Sequence, residues 1–208
     1  MATGAYGLSF GAISVASGLS ALQTQALSLL MFTGASQFAL VGVLGAGGGL
    51  VAAVLTAWFL GARNGLYALS LAPTLRGPVW QRLGLAHWTI DETTAMALAH
   101  PTPVSAQRHA FWQTGLAIYV LWNIGTLVGA LSASVLPDPR TLGLDAAIPA
   151  AFVALLWPRL TSKTPWAIAA ASAAVAIGLT PFLRPGLPVL ACALVAVVGA
   201  SVVREERA

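Results

Sequence analysis

Apolar residues run along this chain in long unbroken stretches, not in alternation with polar ones. The stretches fall at about residues 4–22, 25–46, 49–72, 109–135, 144–160, 165–182 and 188–203. Most are about long enough for a helix to cross a hydrocarbon layer ~30 Å thick. Membrane strands would alternate apolar and polar positions, so the pattern is helical. In lipid, a helix satisfies its own backbone N–H and C=O groups. The pattern therefore predicts an all-α integral membrane protein with about seven transmembrane helices, forming a single transmembrane domain over residues 1–208. The first run is read as a span and not as a removed signal peptide, because no basic stretch precedes it.

The polar interruptions in these runs carry the functional information. In the first run, Gly4, Gly7, Gly11, Ser14 and Gly18 share one helix face, and Gly7 and Gly11 form a GxxxG pair. That flat face either packs against another helix or, with Ser9, lines a substrate path. In the second run, Thr33-Gly34-Ala35-Ser36-Gln37 breaks the apolar pattern at mid-span. Irregular backbone at that depth survives where it lines a cavity or is buried in protein. Gln37 either faces such a cavity or hydrogen-bonds a neighbouring helix.

The third run places Arg63 and Asn64 near its middle. A guanidinium at the centre of a span costs about 3 kcal/mol on insertion scales. A simple anchor would not carry it, so Arg63 is a functional candidate that requires a partner. Later runs are plainer. Trp122-Asn123 interrupts the 109–135 run, and Pro149 predicts a kink in the 144–160 run.

The least apolar stretch, residues 74–108, contains an amphipathic segment, Leu83 to Ala99, with Asp91 and Glu92 inside it. It is short for a full span, so it either re-enters the membrane or lies at the interface. If it does not cross, Arg76, Arg82, Arg108, Arg159, Lys163, Arg204 and Arg207 share one side, and Arg140 and Arg184 face the other. The positive-inside rule makes the first side cytoplasmic, with the C-terminus there. Three spans on either side of a lone one would then be oppositely oriented, the layout of inverted repeats.

Composition agrees with this reading. Hydrophobic residues make up 58% of the chain and charged residues 8%, against about 25% charged in soluble domains. The net charge of +4 comes from basic residues scattered singly, which is a topology signal and not a nucleic-acid footprint. The single cysteine, Cys192, cannot form an intrachain disulfide. No GxxxxGK[ST] motif is present, and His87, His100 and His109 show no metal-ligand spacing. The histidines read as solvated loop residues. No cofactor, metal or catalytic constellation is expected, so the enzyme class is set aside.

Arg63 has few possible counter-charges, because the chain holds six acidic residues. Glu205 and Glu206 lie in the tail, Asp138 in a loop and Asp145 at a span end. Asp91 is the best partner in the chain if its segment re-enters. The alternative partner is a carboxylate on the substrate, which a guanidinium recognises through two parallel hydrogen bonds. Asp91 and Glu92 are also the candidate proton-coupling groups, since intramembrane carboxylates serve as proton relays.

Four motifs occur in a familiar order: Gly7-Leu8-Ser9-Phe10-Gly11-Ala12, Phe32-Thr33-Gly34-Ala35-Ser36-Gln37-Phe38, Ala62-Arg63-Asn64-Gly65-Leu66-Tyr67 and Asp91-Glu92-Thr93. Together they resemble the AzlC-type branched-chain amino-acid permeases. The resemblance covers most of residues 5–100. It implies a secondary transporter exporting branched-chain or similar neutral amino acids across the bacterial cytoplasmic membrane, working with a small AzlD-type membrane subunit. A channel or a carrier for another small solute is the alternative. Two positions depart from the family pattern: Ala5 stands where proline is usual, and Gly61 where asparagine is usual. A zwitterion with an apolar side chain needs an anion receptor, an ammonium acceptor and a greasy pocket. Arg63, or helix N-termini near Gly34 and Gly11, can supply the first. Gln37 and Asp91 can supply the second. The candidate substrate-binding residues are therefore Ser9, Gly11, Gly34, Ser36, Gln37, Arg63 and Asn64.

Overall fold

A computed structural model of the chain describes residues 2–75, 77–100, 102–135 and 160–183, together with isolated residues between 153 and 199. The described residues form helices and connections, with no strand among them. The helices are α1 (Ala2–Ala16), α2 (Ala21–Leu30), α3 (Gly34–Gly45), α4 (Leu50–Gly61), α5 (Arg63–Leu71), α6 (Val79–Trp88), α7 (Asp91–Leu98), α8 (Val104–Val135) and α9 (Lys163–Leu179). The expected spans at 144–160 and 188–203 lie largely outside the described residues.

α8 is the axis of the bundle. It runs for 32 residues, and α1, α2 and α7 pack along it. The approach of α1 is set by small residues on both sides. Gly7 and Gly11 of α1 face Trp122 and Thr126, while Gly125 and Gly129 of α8 face Gly4 and Leu8. A Cβ on Gly7 would sit 2.5 Å from the Trp122 carbonyl oxygen. Two GxxxG pairs thus interlock, and the glycine face of the first run is a packing face.

A seam of hydrogen bonds ties α2 into the same assembly. Thr24 donates to Ser14 Oγ at 2.8 Å, Ser28 to Thr126 Oγ1 at 3.2 Å, and Gln25 Nε2 to Asn123 Oδ1 at 3.3 Å. Such interhelical bonds contribute on the order of 0.6 kcal/mol each. Phe10, Phe38 and Trp122 fill the centre, with Phe10 stacked on Trp122 at 6.1 Å and edge-on to Phe38 at 5.6 Å.

The outward faces are apolar. Val51, Trp58, Leu66 and Ile124 are all more than half exposed, as suits lipid contact. Leu50–Leu71 and Val104–Ala133 are long and apolar enough to cross a membrane. Gly34–Gly45 and Lys163–Leu179 are shorter apolar helices.

Three expected elements are each divided in two, the first and last of them by non-helical residues. The 25–46 run is two helices, α2 and α3, separated at Met31-Phe32-Thr33, just before the glycine that opens α3. The end of α2 leaves carbonyls without helical partners. Gln37 reaches back and donates its Nε2 to the Met31 carbonyl. The 49–72 run is divided at Ala62 alone, into α4 and α5, and its backbone stays helical there. The Ala62 N–H reaches both Trp58 O at 2.9 Å and Phe59 O at 3.3 Å, and Gly65 N–H reaches Ala62 O. The 83–99 segment is longer than expected and also two-part, α6 and α7, divided at Thr89-Ile90. Thr93 Oγ1 bridges that division by accepting from Ile90 N–H at 3.0 Å and donating to Trp88 O at 2.8 Å. α7 buries one face, Ile90, Thr93, Thr94 and Ala97, and packs on α8 and α5, while Met96 and Leu98 on the other face are exposed.

His87 is likewise not a solvated loop residue. It sits in α6, half-buried, with its ring 5.9 Å from those of Phe32 and Tyr119. Trp88 joins the same aromatic cluster. Replacing Gln37 tests the first interruption. Gln37→Leu removes the bond to the Met31 carbonyl, which keeps the Thr33 N–H at 2.8 Å, and should cost about 0.5–1.5 kcal/mol. A melting curve in detergent checks it, and an unchanged midpoint contradicts the capping role.

Candidate functional site

The three divisions meet at one place. A cavity of about 290 Å³ lies between them, near the lower end of the ~300–1,000 Å³ usual for small-ligand sites. Gly34 at the start of α3, Arg63 at the start of α5 and Asp91 at the start of α7 all line it. Its remaining wall is mostly apolar and aromatic, with Tyr6, Phe32, Phe38, Ile118 and Trp122 among the contributors.

The charged feature of the cavity is an ion pair. Arg63 Nη2 lies 3.0 Å from Asp91 Oδ1, with the two side chains 31% and 23% exposed. Neither group is sealed off, so a solute in the cavity can reach both. Asp91 and Glu92 occupy the first turn of α7, where the helix dipole favours negative charge. The first turn of α3 carries no acidic residue: Thr33 makes no side-chain cap, and the α3 start faces the cavity at Gly34.

Polar atoms around the site are left without partners. Ser36 Oγ, Asn64 Oδ1, Arg63 Nε, Thr94 Oγ1 and Trp122 Nε1 are buried and make no hydrogen bond. Such atoms are uncommon in folded proteins, and here they border the interruptions.

The sequence-derived candidates divide into two groups. Gly34, Arg63, Asp91 and Glu92 come together on the cavity wall. Ser36 lies directly behind it, 1% exposed, with its hydroxyl against Gly61, and Asn64 follows Arg63 on α5. Ser9, Gly11 and Gln37 do not line the cavity. Ser9 donates to the Ala5 carbonyl at 3.1 Å, Gly11 is pressed against α8, and Gln37 is fully buried across the α2–α3 interruption. Trp122 is legible in the sequence only as an interruption. Its signal is a tryptophan at mid-span, away from the interfaces where tryptophan concentrates. Gly34 leaves room for it: a Cβ there would lie 2.9 Å from the tip of the Trp122 ring.

Lipid-suited helices, interrupted around a charged cavity of solute size, define the class as a helical membrane protein with an internal polar site. The family described as AzlC protein matches residues 1–136, and the chain belongs to that family. It is similar to the inner membrane protein YgaZ of Escherichia coli, 30% identical over 187 residues, covering 85% of this chain and 75% of that protein. It is also similar to an uncharacterized membrane protein of Helicobacter pylori, 29% identical over 159 residues, covering 76% and 69% respectively. A further relative is an uncharacterized membrane protein of Archaeoglobus fulgidus, 32% identical over 160 residues, covering 74% and 68%. No solved structure matches the chain.

Proposed function

We propose that the chain is a secondary transporter that exports branched-chain or similar neutral amino acids, coupled to protons. The observation that carries this reading is the Arg63–Asp91 pair set in a small, mostly apolar cavity, where two helical elements are interrupted and α4 passes into α5. Interrupted helices at membrane depth are the usual makings of a carrier's central site. Arg63 is the receptor for the substrate carboxylate, and the aromatic wall receives the apolar side chain. When the carboxylate occupies Arg63, Asp91 gives up its cation and takes a proton. Release of the substrate restores the pair. Glu92, beside Asp91 on the wall, is a second proton acceptor in this scheme. No cofactor takes part, and the chain is not an enzyme.

The setting completes the reading: about seven spans in the bacterial cytoplasmic membrane, with a small AzlD-type subunit as partner. The test is counterflow of labelled valine, leucine and methionine in proteoliposomes, with and without that subunit. Saturable counterflow that responds to an imposed pH gradient is expected. Absence of counterflow for all three in the presence of the subunit contradicts the proposal.

A further inference from the structure

α5 and α6 are tied at both ends. Arg63 opens α5, Asp91 follows α6 after Thr89-Ile90, and the ion pair holds these inner ends together. The outer ends are separated in the chain by residues 72–78 alone. Leu50–Leu71 is long enough to cross a membrane, so its end at Leu71 lies near one face. α6 has ten residues and rises about 15 Å, half of a ~30 Å hydrocarbon layer. The two helices thus run from the pair out to that face and back.

A second cavity, of about 310 Å³, lies between them. Ala68 and Ala72 line it on the α5 side, and Leu83 and Ala86 on the α6 side. Its polar lining residues are Thr89 and Arg82. Thr89, at the inner end, donates its hydroxyl to the Leu85 carbonyl at 3.0 Å and is satisfied. Arg82 stands one turn inside the start of α6, near the outer end. Among the described residues it has no acidic partner. Arg108 adds a second cation at that end: its Nε donates to the Thr74 carbonyl at 2.8 Å, and it too lacks an acidic partner among the described residues. Val79, Trp80 and Leu83 are 69–70% exposed, and tryptophan concentrates at headgroup level.

This is an apolar slot at hydrocarbon depth with cations at its mouth. A water-soluble solute would find no free polar partner along its length. An acyl chain needs none, and the phosphate above it needs a cation. Basic pockets between membrane helices take anionic headgroups for this reason. We infer that the groove between α5 and α6 binds an anionic phospholipid, with an acyl chain along Ala68, Ala72 and Ala86 and its phosphate on Arg82. The inference does not depend on the transport reading.

The test titrates the purified protein in detergent with equal amounts of dioleoyl phosphatidylglycerol and dioleoyl phosphatidylcholine, and counts bound lipid by native mass spectrometry. One basic residue near the surface changes anionic-lipid binding by about fivefold. The wild type should prefer phosphatidylglycerol by about fivefold or more. Arg82→Gln should weaken phosphatidylglycerol by about fivefold and leave phosphatidylcholine unchanged. Arg82→Lys should keep the preference, since a phosphate also accepts a point charge. Ala72→Phe should reduce binding of both lipids by filling the groove. Lys163→Gln is the control, because Lys163 opens α9 and does not line the groove. A wild type without preference overturns the site, as does Arg82→Gln protein that binds as the wild type does. A loss in Lys163→Gln equal to that in Arg82→Gln overturns it as well. If Ala72→Phe keeps both lipids and instead changes the number of chains in the complex, the groove holds a protein and the lipid site is overturned.

Discussion

Arg63→Ala and Asp91→Ala should each abolish transport, and the double variant should recover stability without recovering transport. Each single change strands one charge of a pair that sits among apolar walls. Breaking a fully buried pair costs about 3–5 kcal/mol. The Arg63 and Asp91 side chains are 31% and 23% exposed, so solvent screens part of this, and about 1–3 kcal/mol is expected for each. Removing both charges leaves nothing stranded, so the double variant should melt near the wild type. Transport should stay lost, because the proposed carboxylate receptor is gone. Arg63→Lys should keep less than roughly a tenth of the activity, since an ammonium cannot reproduce the planar fork. Thermal stability and uptake, measured on wild type, both single variants and the double, check this. Stable single variants that still transport contradict it.

Gly11→Leu should prevent assembly of the fold. A Cβ on Gly11 would fall within van der Waals overlap of the Thr126 carbonyl oxygen and 2.7 Å from the Ala130 nitrogen. Both are backbone atoms of α8, so no side chain can move aside to relieve the clash. Forcing α1 away from α8 also separates the Ser14–Thr24 and Phe10–Trp122 contacts. The loss should exceed about 3 kcal/mol, beyond the ordinary cost of overpacking. Expression as a monodisperse species in detergent is the readout. Gly65→Leu is the control, because a Cβ at Gly65 meets nothing within 4 Å. Equal yields of the two variants contradict the interlocked-glycine account.

Much of the site is legible in the sequence because the bilayer makes polar residues conspicuous. Arg63 stands out in an apolar run, few acids compete to pair with it, and the structure joins it to Asp91. Thr33 to Gln37 marks an interruption, and the chain does break beside it, at Met31 to Thr33. Other features cannot be read along the chain. Gln37 has the chemistry of a substrate ligand, but its donors are turned to the α2 carbonyls by a fold that sequence spacing does not reveal. Gly11 has the look of either a packing or a cavity residue until its neighbour is known. That neighbour, Gly125 to Gly129 of α8, is more than a hundred residues away. The segment around Asp91 reads as too short because the polar pair Gln81-Arg82 hides its first turn, whereas α6 begins at Val79, directly after Pro78. Its division at Thr89-Ile90 depends on how Thr93 bonds the backbone, which periodicity does not register. Trp122 is hard to place because tryptophan is expected at interfaces, whereas here it fills the space that Gly34 leaves open.

The central claim is that Arg63 receives the carboxylate of an amino acid in this cavity. The most direct measurement is equilibrium binding of labelled valine to purified wild-type and Arg63→Ala protein, each confirmed as folded. Saturable binding to the wild type is expected, and none detectable to Arg63→Ala. Wild-type affinity in Arg63→Ala would contradict it.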